Sequence, residues 1–188
     1  MKTDTRQLRR RDGRWKAGGQ PLCLLCSAQD TCTWRAQHGD VESCHAMIPA
    51  FGFMNEVGLD RISNTMRVGK AWSERLVTGD RVGLYNVKRK EMFGSATILS
   101  VFTGPIVPML IKHAHANHTM LDTPRAEAAE MLLRWMRQNY GPRLINKQTH
   151  LTAVYLLNDN GKPLTTPFQA IQTARDDQEL AEGAGHVG

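Results

Sequence analysis

Long apolar runs are absent from this 188-residue chain. No segment approaches the roughly 20 apolar residues that a membrane-spanning helix needs, and the N-terminus lacks the apolar stretch of a signal peptide. We therefore expect a soluble, cytoplasmic protein with no membrane partner. No internal repeat is visible, and the length suits one domain with appendages.

Cysteine is scarce, with four in the chain, and in a reducing cytoplasm such cysteines are metal ligands more often than disulfides. The first two form a Cys-x2-Cys pair, which places two thiolates on one side of a tight turn so that a second pair can complete a tetrahedron around zinc. An iron–sulfur cluster and four reduced, buried cysteines are the alternatives. The predicted zinc ligands are Cys23, Cys26, Cys32 and Cys44, with His38 or His45 as a substitute.

Acidic residues are sparse at the N-terminus, where residues 1–22 hold seven basic and two acidic side chains, a net of +5 out of +6 for the whole chain. Such basic arms commonly contact nucleic-acid phosphate, and Arg9, Arg10 and Arg11 are the candidate contacts. The alternative is a solvated, disordered tail.

Changes in composition divide the chain into four segments. Residues 1–22 are predicted to be a basic flexible arm, residues 23–49 a four-cysteine metal module, and residues 50–159 the main domain. Residues 160–188, which become acidic and rich in Gly and Ala, are predicted to be a largely disordered tail.

Within the main domain, hydrophobic spacing predicts an α+β fold with a small, barrel-like sheet and flanking helices. Strands are expected at 81–86, 93–102 and 151–157, and helices at 71–77 and 106–118. A further helix is expected after Asp122 or Thr123, which would cap it, with Pro124 at its first position. Its core-facing stripe is predicted to contain Met131, Leu132, Trp135 and Met136.

A basic hairpin tip and a polar cluster are the candidate nucleic-acid contacts of this domain. The tip, Lys88-Arg89-Lys90, joins the first two predicted strands and would contact phosphate. The polar cluster precedes the predicted helix at 71–77, and a fixed arginine among small polar groups is typical of a site that grips a nucleobase or phosphate. Its members are Ser63, Asn64, Thr65 and Arg67.

The order of short motifs along residues 57–158 resembles the ASCH family of PUA-like domains. Thr65-x-Arg67 is followed by Gly79-Asp80 and a strand pair, then by Lys112-His113-Ala114. A helix ending in Tyr140-Gly141-Pro142 and a closing strand complete the series. The order is similar to that in small bacterial members that remove the acetyl group from N4-acetylcytidine. The resemblance implies a PUA-like β-barrel with a nucleoside or nucleic-acid cleft.

The same resemblance implies roles for individual residues. Thr65 matches the family's nucleophile or substrate-orienting threonine. The family's lysine falls on Ile62 and its acidic residue on Asn117, and neither side chain can transfer a proton. An enzyme would therefore need a substitute such as Lys70, Glu91 or a histidine, of which His118, beside Asn117, is the catalytic candidate. The expected ligand-binding residues are Ser63, Asn64, Thr65, Arg67, Lys70 and Asn117.

Three functions remain open from the sequence. The first is a binding protein for RNA or a modified nucleoside, which the basic arm and the missing proton-transfer groups favour. The second is an ASCH-type hydrolase, either an N4-acylcytidine amidohydrolase or a ribonuclease. The third is an adaptor whose cysteine module docks a protein partner.

Overall fold

The structure is a computed structural model that describes residues 9–11, 14–16, 26–27, 30, 32–40, 43–44 and 47–159. The chain divides into two compact units, residues 1–51 with 163–188 and residues 52–162. The predicted tail at 160–188 and the predicted zinc ligand Cys23 lie outside the described residues.

The first unit contains a small antiparallel sheet and one short helix. Strands β1 (Arg9–Arg11), β2 (Arg14–Lys16) and β3 (Ser43–Cys44) pair in that order, and α1 spans Thr33–His38. The first two of these strands lie within residues 1–22, the segment predicted to be a flexible arm. The intervening Asp12-Gly13 is a residue pair that favours two-residue hairpins, and this signal in the sequence was overlooked.

The second unit is built on a five-stranded sheet with the order β4-β6-β7-β8-β5. β6 pairs with β7, β7 with β8 and β8 with β5, all antiparallel. Together with its helices this sheet confirms the α+β class. The strands are β4 (Ala50–Phe53), β5 (Ser63–Val68), β6 (Arg81–Asn86), β7 (Glu91–Pro105) and β8 (His150–Asn158).

Two helices cover part of this sheet and form the core with it. α2 spans Ile106–His113 and continues as a 3-10 turn at Ala114–Ala116, and α3 spans Arg125–Tyr140. α3 buries Ala128, Leu132 and Met136, four residues apart, because that spacing places side chains on one helical face. These side chains pack with α2, β5 and β8.

Three expectations for this unit were wrong. Residues 71–75 form a turn rather than a helix, and the backbone amides of Ser73 and Arg75 donate to carbonyls three residues earlier. A helix was predicted at 106–118, whereas the observed α-helix ends at His113. Met131 and Trp135 are 42% and 37% exposed, so the predicted core stripe contains only its other two members.

The start of α3 also differs from its prediction. Pro124 occupies the N-cap, and no side chain caps the helix. Asp122 is instead paired with Arg61, and the Thr123 hydroxyl donates to the sulfur of Met120. Among the described residues, no helix is long and apolar enough to cross a membrane.

Candidate ligand cavity

A cavity of about 70 Å³ opens between β5, the end of β4 and α3 in the second unit. Thr65 and Arg67 reach it from β5, where residues two apart share a face of the strand. Met66 of β5 also lines it, and its other walls come from the end of β4 and the stretch after it, the segment following the 3-10 turn, and α3. These lining residues are Gly52, Phe53, Met54, Asn55, Met66, Asn117, His118, Thr119, Leu132, Trp135, Met136 and Tyr140.

Arg67 provides the fixed positive charge of the cavity. Its Nη2 donates to the Gly52 carbonyl at 3.1 Å, and its guanidinium carbon lies 5.1 Å from the centre of the Phe53 ring. Burial lowers the pKa of Arg67 to about 10, while the charge of Tyr140 opposes that change. The guanidinium therefore stays protonated at neutral pH, and none of the other lining residues within the described part of the chain is Lys, Arg, Asp or Glu.

His118 contributes a neutral imidazole to the same cavity. Its Nδ1 lies 2.9 Å from the Val57 carbonyl oxygen, which can only accept, so Nδ1 carries the proton and Nε2 holds a lone pair. Burial lowers the pKa of His118, and the charge of Arg67 lowers it further, against the opposing effect of the Val57 hydrogen bond. None of the described residues hydrogen-bonds with Nε2, which is therefore available to a ligand.

Thr65 combines low exposure with an available hydroxyl. Its side chain is 4% exposed and lines the cavity, and no described residue hydrogen-bonds with its Oγ1. The hydroxyl can both donate and accept. The structure thus brings three predicted site residues to one cavity, namely Thr65, Arg67 and His118.

The side chains of Asn117 and Asn64 form hydrogen bonds to other protein groups beside the cavity. The Asn64 amide donates to the His113 carbonyl at 2.8 Å, and its own backbone carbonyl accepts from the amide of His118. The side-chain oxygen Oδ1 of Asn117 accepts hydrogen bonds from the backbone amide and the hydroxyl of Thr119. Asn117 also lines the cavity, and its amide donates to the Asn64 side-chain oxygen at 3.5 Å, which joins the segment after α2 to β5.

Besides Asn64, two predicted ligand-binding residues, Ser63 and Lys70, do not line the cavity. Ser63 is 1% exposed and does not line the cavity. Lys70 is exposed and follows the end of β5. Ser63 shares the strand face of Thr65 and Arg67 but lies at the start of β5, and Lys70 lies beyond its end.

Trp135 and Tyr140 are cavity residues that sequence reasoning missed. Their rings meet edge to face with centres 6.2 Å apart, and they are 37% and 45% exposed. Trp135 follows the buried Leu132 by three residues, so helical spacing alone predicted a core position for it. Only the packing of α3 shows that Trp135 lies at the cavity rather than in the core.

The predicted basic tip is only partly free to attract phosphate. Lys88, Arg89 and Lys90 are exposed in the turn between β6 and β7. Arg89 forms ion pairs with Glu56 and Glu91, which compensate its charge. Arg9, Arg10 and Arg11 form β1, and their role as phosphate contacts stays a prediction.

The predicted zinc site lies in a unit that is only partly described. Cys26, Cys32 and Cys44 are partly exposed, and the Cys26 sulfur accepts from the backbone amide of Ile48 at 3.5 Å. Among the described residues, which do not include Cys23, no group of three His, Cys, Asp or Glu side chains is arranged to hold a metal. Zinc at the four cysteines therefore stays a prediction.

Comparison with known proteins yields one distant similarity. No protein-family model and no curated protein matches the chain. Among solved structures the chain is similar to protein EF3133 from Enterococcus faecalis V583, of family DUF984, with 11% identity and a TM-score of 0.39. The matched region covers 55% of this chain and spans 65% of that protein. A similarity this distant assigns neither a family nor a function.

Proposed function

We propose that this protein binds a nucleobase or modified nucleoside, free or within RNA, in a PUA-like cleft formed by the cavity of the second unit. The observation that carries the proposal is the convergence of Thr65, Arg67 and His118 with Trp135 and Tyr140 on one cavity. Binding pockets typically combine apolar and aromatic walls with a few polar groups that fix orientation.

The size of the cavity suits a single ring. A volume of about 70 Å³ is about half that of a cavity of roughly 150 Å³ that encloses benzene, so the space admits one partly inserted ring rather than a whole nucleotide. A sugar and phosphate would then remain outside the cavity. Lys88 and Lys90, which are exposed, and the arginines of β1 are the candidates to contact phosphate.

Binding of uridine, cytidine, N4-acetylcytidine and single-stranded RNA tests this proposal, with Arg67→Met and Thr65→Val as cavity variants. Loss of a hydrogen bond to a charged group costs about 1.5–3 kcal/mol, so Arg67→Met should weaken binding about 10- to 150-fold. Thr65→Val keeps the shape of the side chain and should weaken binding up to about tenfold.

The matched control is Arg134→Met, because Arg134 is an exposed arginine on α3 that pairs only with Glu130 among the described residues. It should bind as the unaltered protein does, and circular dichroism should show that all variants are folded. If none of the four probes binds, or if Arg134→Met weakens binding as much as Arg67→Met, the proposal is wrong.

A second candidate function is an amidohydrolase of the ASCH type, which the neutral His118 and the Thr65 hydroxyl in the lining of one cavity favour. His118 Nε2 would take a proton from the Thr65 hydroxyl or from water as that oxygen attacks the acyl carbon. The C–N bond then breaks, and the proton passes to the departing amine. If Thr65 attacks, water subsequently hydrolyses its ester and releases the acid.

Incubation with N4-acetylcytidine and with RNA decides between binding and hydrolysis. Hydrolysis by this route should be lost in Thr65→Ala and His118→Gln. It should also fall as pH drops through the pKa of His118, which lies below its ordinary 6.5. Turnover that survives both substitutions, or no turnover at all, would leave His118 without a catalytic role.

A further inference from the structure

His118 is held in one orientation by three contacts from separate stretches of the second unit. Its backbone amide donates to the carbonyl of Asn64 on β5 at 2.9 Å. Its Nδ1 donates to the Val57 carbonyl at 2.9 Å, and its ring meets that of Phe53 edge to face, with centres 5.2 Å apart. A group fixed in this way loses little freedom when it binds a ligand.

The Val57 carbonyl, which sets the proton on Nδ1, lies in a stretch that is anchored on both sides. Before it, the Glu56 carboxylate accepts from the side-chain amide of Asn86 at 2.7 Å. After it, the Leu59 carbonyl accepts from the side-chain amide of Asn158 at 2.6 Å. Because these two asparagines end β6 and β8, the sheet fixes the stretch that carries the Val57 carbonyl. The fold therefore favours the tautomer of the histidine that has its lone pair on Nε2.

The lone pair on Nε2 determines which ligand atom can lie against it. His118 lines the cavity, and none of the described residues hydrogen-bonds with this nitrogen. A ligand that displaced water from Nε2 without supplying a donor would leave an acceptor unsatisfied. The Thr65 hydroxyl in the same lining can donate to a carbonyl oxygen. A ring with an N–H group beside a carbonyl group therefore matches both side chains.

We infer that His118 is the specificity-determining acceptor of the cavity, and that it selects rings presenting an N–H beside a carbonyl group, as the lactam edge of uracil does. This inference rests on the proposed function, since it specifies which rings the same cavity accepts. It assigns His118 a role in recognition that needs a lone pair and no transfer of a proton.

Equilibrium dialysis of uridine and of 3-methyluridine tests this assignment, because the methyl group replaces the N–H that lies between the two carbonyl groups. The unaltered protein should bind uridine about 5- to 150-fold more tightly than 3-methyluridine. His118→Gln should retain most of this preference, because its side-chain oxygen can accept a hydrogen bond near the position of Nε2. In His118→Leu, which has no acceptor, the preference should disappear.

The comparison of His118→Gln with His118→Leu separates recognition from a structural role. Both substitutions remove the Nδ1 hydrogen bond to Val57 and the ring contact with Phe53, so a purely structural role would affect the two variants alike. Leucine is about as large as histidine, so a purely steric exclusion of the methyl group would persist in His118→Leu. Circular dichroism should show that both variants are folded.

Nitrogen-15 NMR of the histidine rings gives a readout that does not depend on affinity. At neutral pH, Nε2 of His118 should give the signal of an unprotonated ring nitrogen, assigned by its loss in His118→Gln. Saturating uridine should shift this signal because Nε2 then accepts a hydrogen bond. A proton on Nε2 in the free protein, or a signal that uridine does not move, would overturn the inference.

The outcomes separate this inference from the proposed function. If dialysis detects no nucleoside or RNA binding to the unaltered protein, the proposed function fails and the inference fails with it. If cytidine binds but uridine does not, the selection of a lactam edge is refuted while the proposed function stands. The same holds if His118→Leu keeps the preference for uridine over 3-methyluridine, or if His118→Gln loses it as completely as His118→Leu does.

Discussion

Asp159, at the end of β8, is the acceptor of a small polar network, and Asp159→Asn should substantially destabilise the second unit. Its Oδ2 accepts from Arg81 Nη2 at 2.8 Å, from Arg81 Nε at 3.1 Å and from Ser95 Oγ at 2.6 Å. Its Oδ1 accepts from Thr97 Oγ1 at 3.0 Å. The carboxylate thereby joins β6 and β7 to the end of β8.

The expected magnitude follows from these contacts. A hydrogen bond to a charged group contributes about 1.5–3 kcal/mol, and leaving a donor of Arg81 unmatched adds a cost. The Arg81 side chain is 25% exposed and that of Asp159 10%, so water compensates part of this loss. We expect Asp159→Asn to lower the free energy of unfolding by about 3 kcal/mol. With a urea slope of about 2 kcal/mol per molar, the unfolding midpoint should fall by about 1.5 M.

The pKa of Asp159 determines how its contribution to stability should change with pH. Burial raises the pKa of Asp159, but the hydrogen bonds from Ser95, Arg81 and Thr97 lower it by more, so the net pKa lies below its ordinary value. The stabilisation is therefore present above the ordinary aspartate pKa and is lost as pH falls through the lowered pKa. The difference between the unaltered protein and Asp159→Asn should shrink over that acidic range.

Urea unfolding followed by circular dichroism measures both effects, with Asp60→Asn as the control because Asp60 is exposed. Asp60→Asn should change the midpoint little. Equal midpoints for Asp159→Asn and the unaltered protein at neutral pH would refute the role of the network. A difference that persists unchanged at acid pH would show that the carboxylate charge is not its source.

Three further predictions concern the backbone, the basic tip and the cysteines. Gly58 has a φ of +69°, and a Cβ there would lie 2.2 Å from the His118 carbonyl oxygen, so Gly58→Ala should cost about 3 kcal/mol or more in urea unfolding. Gly79→Ala, with a φ of +91° and open space, should cost only about 1–2 kcal/mol, and equal losses would contradict the clash. If the tip contacts phosphate, Lys88→Ala with Lys90→Ala should reduce the slope of log affinity for RNA against log salt by about two units, whereas an unchanged slope would exclude these lysines. Metal analysis of the purified protein should find one zinc, reduced in Cys32→Ser, and protein free of zinc and iron whose folding a chelator does not change would overturn the metal prediction.

Local sequence signals predicted much of the scaffold of the second unit. Alternating apolar residues identified β6, most of β8 and the centre of β7, and the stop at Tyr140-Gly141-Pro142 matched the end of α3. These signals depend on periodicities of two and 3.6 residues that neighbouring residues carry themselves. The turn at 71–75 was mistaken for a helix because two apolar residues four apart cannot by themselves nucleate one.

The sequence by itself determined the chemistry available to the site, and the tertiary structure decided which groups share a cavity. Thr65 and Arg67 stand two apart in the chain, but it is the pairing of β5 with β8, about ninety residues later, that fixes their face. Long-range packing also joins the Asn117 amide to the Asn64 side-chain oxygen and turns Trp135 outward. Such contacts join residues far apart in the chain, and no local pattern of residues encodes them.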